Sequence, residues 1–159
     1  MTGRFQKGLF AMAAVAALLS FSGCNRGHES AQPELTEAVT THGAVKVDWE
    51  KTLPEALERA KSEGKPVLVN FYAEWCVWCK RLESTTLRDN QVKTVLRDRV
   101  VPVSLDVDGD GRELSNMYRV DGLPTILVLD GDGRELGRIP GYIAPSGFLE
   151  LVDGFLQQS

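Results

Sequence analysis

Cys76 and Cys79 stand two residues apart in Glu74-Trp75-Cys76-Val77-Trp78-Cys79-Lys80. Thiols at this spacing can close a small disulfide ring and open it again. The apolar, strand-like run Pro66–Tyr72 precedes them, and the segment after Cys76 reads as a helix. Unpaired N–H groups and the dipole at a helix start favour the thiolate of the first cysteine. That is the chemistry of thiol–disulfide exchange. Cys79 lies one turn deeper, placed to attack a mixed disulfide on Cys76 and release the reduced partner. The same pair also fits half of a metal site or a static disulfide. Zinc needs about four ligands, yet there is no second cysteine pair, and His28 and His42 fall in a tether-like segment. Haem attachment needs a histidine directly after the second cysteine, where Lys80 stands. Two soft thiolates also suit Cu(I), which would make the chain a binding module instead of an enzyme.

The pair must be carried by a strand and a helix, and the surrounding pattern supplies both. Alternation over Ala44–Trp49 predicts a short first strand. Thr52 caps a helix predicted over 53–63, with Pro54 in its first turn and Gly64 at its end. The strand Pro66–Tyr72 leads to the cysteines, and the helix after Cys76 is expected to run to about Leu87. A further helix starts at Asp89 or Asn90, followed by a strand over Val100–Asp106 and a short helix over Arg112–Tyr118. Thr125–Leu129 is a strand that turns through Asp130-Gly131-Asp132-Gly133 into Arg134–Ile139, a hairpin. An amphipathic helix follows Pro145. Helices between strands imply parallel pairing and the hairpin adds an antiparallel part. The expected architecture is α/β, a mixed central sheet flanked by helices on both faces.

The chain ends bear on location. Residues 1–23 have a positive start at Arg4 and Lys7, an apolar run from Leu9 to Leu19 and small residues before Cys24. A membrane-spanning helix needs about 20 apolar residues; this run fits a secretory signal better. Phe21-Ser22-Gly23-Cys24 resembles a bacterial lipobox, in which the chain is cut before a cysteine that is then acylated, although Phe21 replaces the usual Leu. An ordinary signal cut nearby would instead leave Cys24 a free thiol. With lipidation at Cys24, all three cysteines have a role. Residues 24–44 read as the lipidated cysteine and a flexible tether, and 45–159 as one domain. The chain has 18 basic and 22 acidic residues; without Arg4 and Lys7 it keeps 16 basic groups and a net charge of −6. That charge argues against nucleic acid or an anionic membrane surface as an electrostatic partner, so membrane contact would come through the lipid.

Asn70-Phe71-Tyr72-Ala73-Glu74-Trp75-Cys76-Val77-Trp78-Cys79-Lys80 resembles the active-site signature of the thioredoxin superfamily. Gly122-Leu123-Pro124-Thr125 is similar to its second signature, a cis-proline before a strand, and Asp106-Val107-Asp108 to Val120 matches the run between them. The resemblance covers about residues 45–157. Within the superfamily, Gly64-Lys65-Pro66 and the cysteine motif look most like the C-terminal domain of DsbD-type thiol:disulfide interchange proteins. Small secreted thioredoxin-like proteins share that motif. With no multi-span membrane domain, the chain is not expected to be a complete electron conduit of the DsbD type.

The resemblance implies a thioredoxin fold, Cys76 as nucleophile and Cys79 as resolving cysteine. It implies no cofactor beyond the redox-active disulfide Cys76–Cys79 and no metal. Trp75 is expected to pack beside the disulfide and shape the partner surface, against the plainer reading of a core aromatic. Pro124 is expected to face the disulfide and leave neighbouring backbone free to pair with an extended partner strand. Val77 and Trp78 lie between the cysteines; Trp78 either serves partner docking or packs against the next helix. Asn70 departs from the buried Asp of many thioredoxins, and an amide cannot act as a base. Glu83, four residues after Cys79 on one helical face and leaning toward the N-terminus, is the substitute to examine. Its competing role is a solvated pair with Lys80. Glu74 is expected at the surface. Asp106-Val107-Asp108-Gly109-Asp110-Gly111 looks like the start of a calcium loop, but Met117 falls where an EF-hand needs Glu, so it reads as a strand end and turn.

The expectation is a periplasm-facing, lipid-anchored monomer that exchanges disulfides with protein partners, as a reductase fed by a membrane thiol electron donor. Asn25 after the acylated cysteine leans toward the outer membrane over the inner. The alternatives are a disulfide oxidase or isomerase, and a Cu(I)-binding chaperone using Cys76 and Cys79.

Overall fold

The computed structural model describes residues 45–158. The expected signal segment, Cys24 and the tether lie outside the described residues. Helix α1 spans Leu53–Glu63, with the Thr52 side chain accepting the Glu55 N–H at 3.4 Å and Gly64 closing it at φ 64°. Glycine meets that left-handed conformation without a Cβ clash. Strand β1 (Val67–Tyr72) runs into α2 (Val77–Ser84), then a single 3₁₀ turn at Thr86–Arg88. Helix α3 (Asn90–Asp98) starts where Asp89 accepts the N–H groups of Gln91 and Val92. Strand β2 (Val101–Asp106), α4 (Arg112–Met117), β3 (Thr125–Leu129), β4 (Glu135–Pro140) and α5 (Pro145–Leu156) complete the order.

The sheet order is β2-β1-β3-β4, with β1 parallel to β2 and the other neighbours antiparallel. Strand β1 is central, and alternate residues of it feed two cores. Val67, Val69 and Phe71 pack with Leu53, Ala56 and Ala60 of α1. Leu68 packs with Leu82 of α2, Val92 and Leu96 of α3, and Phe148 and Val152 of α5. The sheet therefore has helices on both faces, as expected. Burying β1 on both faces fixes its register, and with it the position of the chain that leaves its C-terminal end.

Two boundaries differ from expectation. The first strand is not formed: only Glu50 bridges Val103, in parallel, and its N–H donates to Pro102 O at 2.8 Å. Pro102 faces this segment and has no N–H to extend the ladder. The Asp48 carbonyl instead accepts from Arg59 Nη1 at 3.5 Å. Helix α2 stops at Ser84 rather than near Leu87. Thr85 Oγ1 donates to Arg81 O at 2.7 Å and Thr86 Oγ1 donates to Ile143 O at 2.6 Å. Side-chain hydroxyls that bond to backbone in this way compete with helix continuation.

Candidate active site

Strand β1 ends at Tyr72, and the chain turns so that the Cys76 N–H donates to Ala73 O at 3.0 Å. Cys76 is then the N-cap of α2, with extended φ −78° and ψ 105°. Its sulfur accepts the Cys79 N–H at 3.1 Å. The two cysteines are joined as a disulfide with Cα atoms 5.2 Å apart. They are 5% and 3% exposed, in a small cluster with Ala73, Tyr72, Val107 and Leu123. On reduction, a sulfur placed at this cap stabilises negative charge through the N–H and the helix end.

The Leu123–Pro124 peptide bond is cis. Pro124 O accepts the Gly141 N–H at 2.7 Å, which ties the end of β4 to the start of β3. The backbone N–H and C=O of Leu123 have no backbone partner among the described residues. They lie beside the cysteine cluster, where an extended chain could pair with them.

Trp75 is 68% exposed, so the core reading does not hold. Its indole N–H donates to Asp108 Oδ2 at 2.6 Å, linking the cysteine turn to the loop between β2 and α4. Trp78 is 51% exposed and packs against Tyr142, with ring centroids 5.8 Å apart. The Arg81 guanidinium lies 5.4 Å from the Trp78 ring and 4.9 Å from the Tyr142 ring. A hydrogen bond with Thr85, and secondarily the Arg81 cation, lower the Tyr142 phenol. Trp78, Leu123, Gly141 and Tyr142 line a cleft of about 330 Å³ beside the cysteines.

Glu83 shares a cavity of about 40 Å³ with Cys79, Tyr72, Ala73, Glu74 and Lys80. That is room for about one water molecule. Lys80 and Glu83 form no ion pair among the described residues. Burial, then the carboxylates of Asp106, Glu74, Asp110 and Glu83, raise the Tyr72 phenol, so this side of the site is electronegative. Asn70 is 2% exposed; its Nδ2 donates to Ser104 Oγ at 3.3 Å and its Oδ1 has no partner. In the aspartate-rich loop, Asp106 accepts the Asp108 N–H and Asp108 is engaged by Trp75. No group of three or more potential ligands gathers for a metal among the described residues.

Sequence reasoning did not single out Arg81 or Tyr142, and it named Asp108 only within the turn after β2, not as a partner of Trp75. Trp78 and Arg81 are three apart on one helical face, a spacing that hints at contact. Tyr142 and Asp108 reach the site only through the fold.

Residues 53–155 match the family model described as a thioredoxin-like domain. The thiol:disulfide interchange protein DsbD of Pseudomonas fluorescens is 39% identical over 93 residues, covering 57% of this chain and 16% of that protein. The chain thus spans about a sixth of the length of that relative. A thioredoxin from Thermus thermophilus superposes with a TM-score of 0.61 at 34% identity, over 70% of this chain and 85% of the other. The oxidised C-terminal domain of Neisseria meningitidis DsbD gives a TM-score of 0.56 at 25% identity, over 67% and 98%. The fold is the thioredoxin fold, and the paired cysteines sit at the helix start that follows its central strand. The chain belongs to the thioredoxin-like family.

Proposed function

We propose that this protein reduces disulfides in protein partners at the periplasmic side of a bacterial envelope and is recharged by a membrane thiol donor. The observation that supports this most is the Cys76–Cys79 disulfide at the start of α2, packed against Leu123, which precedes cis-Pro124. Relatives carrying the name of thiol:disulfide interchange proteins support the exchange itself. In the reducing direction the Cys76 thiolate attacks a partner disulfide, and one partner sulfur leaves and takes a proton. Cys79 then gives up its proton and attacks Cys76 Sγ. The second partner sulfur leaves reduced, and the Cys76–Cys79 bond is restored. Two electrons have passed to the partner, and a donor dithiol returns them.

The supporting residues take parts that fit their places. Glu83 borders the cavity that reaches Cys79, and accepts its proton directly or through one water; Asn70 has no acid to offer. Leu123, before Pro124, presents its backbone to an extended partner segment. Trp75 shapes the surface that partner meets. Lipidation of Cys24 after removal of residues 1–23 would hold the domain at the membrane on the tether, with the outer membrane favoured. The protein acts as a monomer, with no cofactor beyond the disulfide and no nucleic-acid partner.

The test is the equilibrium reduction potential of Cys76–Cys79, titrated against a thiol buffer. A value near about −270 mV supports a reductase, and one near about −120 mV makes the protein an oxidant. If no reversible disulfide forms, exchange fails and Cu(I) binding becomes the leading reading.

A further inference from the structure

The cleft of Trp78, Leu123, Gly141 and Tyr142 adjoins the disulfide but plays no part in the electron transfer itself. Two of its four walls are aromatic, and both lie against one guanidinium. Arg81 is exposed. Unlike Arg59, Arg97, Arg99, Arg134 and Arg138, which pair with carboxylates, it has none within ion-pair distance among the described residues. Stacking on two rings and a hydrogen bond to the Tyr142 phenol hold the cation in place with no carboxylate on it, so little side-chain freedom is lost when an anion arrives. The carboxylates near the cysteines lie elsewhere: Glu74 and Glu83 border the cavity behind Cys79, and Asp108 is held by Trp75. The cleft side of the disulfide is therefore apolar and cationic, and the other side acidic.

We propose that this cleft, with Arg81 at its aromatic walls, seats a partner segment that carries an acidic residue close to its disulfide. The proposal rests on the disulfide-exchange reading above and adds the chemistry of the partner. An apolar residue of the partner fills the space between Trp78 and Leu123, while a neighbouring carboxylate meets the guanidinium in bidentate fashion. Basic residues at that position are repelled, so Arg81 selects among partners as well as binding them.

The test uses the full-length reduced protein and two peptides, each carrying one cysteine capped as a mixed disulfide with 2-mercaptoethanol. They differ only in having Glu or Lys on both sides of that cysteine. Each second-order rate constant is divided by that for bis(2-hydroxyethyl) disulfide with the same protein, which cancels any effect of Arg81 on the cysteine thiolate. The expected result is a preference of about fivefold for the Glu peptide, in the range of an exposed charge pair. The preference shrinks in 1 M salt and reverses in Arg81→Glu. Equal normalised rates for the two peptides, or a preference that Arg81→Glu leaves in place, overturn the proposal while exchange itself stands. If bis(2-hydroxyethyl) disulfide is not reduced either, the exchange reading fails and takes the proposal with it. A wild-type dimer in size-exclusion chromatography that Arg81→Glu dissociates would assign the cleft to a second copy and also overturn it.

Discussion

At the level of single residues, the chemistry turns on how Cys79 loses its proton. Asn70 is buried with an unpartnered oxygen, and of the two carboxylates that border the same small cavity as Cys79, Glu74 and Glu83, only Glu83 stands on the helix that carries Cys79. Glu83→Gln keeps the volume and removes the proposed base. The expected outcome is a resolving step, followed by release of partner from a Cys76 mixed disulfide, that is about tenfold slower near neutral pH. Its pH profile then follows the Cys79 thiol alone; an unaltered profile removes Glu83 from the mechanism. Trp75 has a different task. Trp75→Phe keeps the ring and deletes the indole donor to Asp108. Because the bond is exposed, stability should change by no more than about 1 kcal/mol. Amide exchange in the loop around Asp108 should nonetheless quicken, and unchanged protection there would mean that the bond does not hold the loop. That Cys76 and Cys79 pair, that the bond before Pro124 is cis and that Glu83 lies near Cys79 could be read in the chain, since motif and helical spacing act locally. The contacts of Tyr142 and Asp108 could not: Tyr142 meets Thr85 across 57 residues and Asp108 meets Trp75 across 33, and no local pattern encodes such contacts.

At the level of elements, most helices and strands were legible because their caps and periodicity agree. Thr52, Gly64 and Asp89 mark the ends that the structure has. The two misses share a cause, a backbone group satisfied from outside the element. The expected strand before Glu50 finds Pro102 opposite it, and no sequence pattern tells that these two segments lie side by side. Helix α2 ends early because Thr86 reaches across to the Ile143 carbonyl. Thr86 is fully buried, so Thr86→Val leaves that carbonyl without its hydroxyl partner. A loss of about 1–2 kcal/mol in urea unfolding is expected, and a value near zero would mean the bond is not what ends the helix. Between β4 and α5, Gly137 faces the Phe155 ring so closely that an added Cβ would overlap it. Gly137→Ala should cost about 1–3 kcal/mol as the ring is displaced. Phe155→Leu in the same background should recover part of that loss, which separates overlap from a backbone effect.

Over the whole domain, the central strand fixes the site while the charged surface sets how the fold responds to acid. Lys65 and Arg59 hold the Glu63 carboxyl down at about 2, through hydrogen bonds at 2.7 and 2.6 Å. Asp48, Asp98, Asp130, Glu135 and Asp153 are also lowered, each chiefly by a hydrogen bond from a basic residue: Lys46, Arg97, the Arg134 backbone, Arg138 and Arg99 in turn. A carboxyl lowered by folding binds fewer protons in the native state than in the unfolded chain. Its contribution is therefore present above the unfolded value, about 4.5 for Glu, and is lost as pH falls through the folded value. For Glu63 that window runs from 4.5 down to about 2. Urea unfolding of the oxidised protein at a series of pH values should give stability that is level near neutrality and declines below about pH 4.5. Because these groups lie at the surface, 1 M salt should flatten the decline. Glu63→Gln should flatten the curve in the window between 4.5 and about 2, where Glu63 titrates. A decline of the same steepness in Glu63→Gln and in high salt would mean that these surface pairs do not set the acid sensitivity.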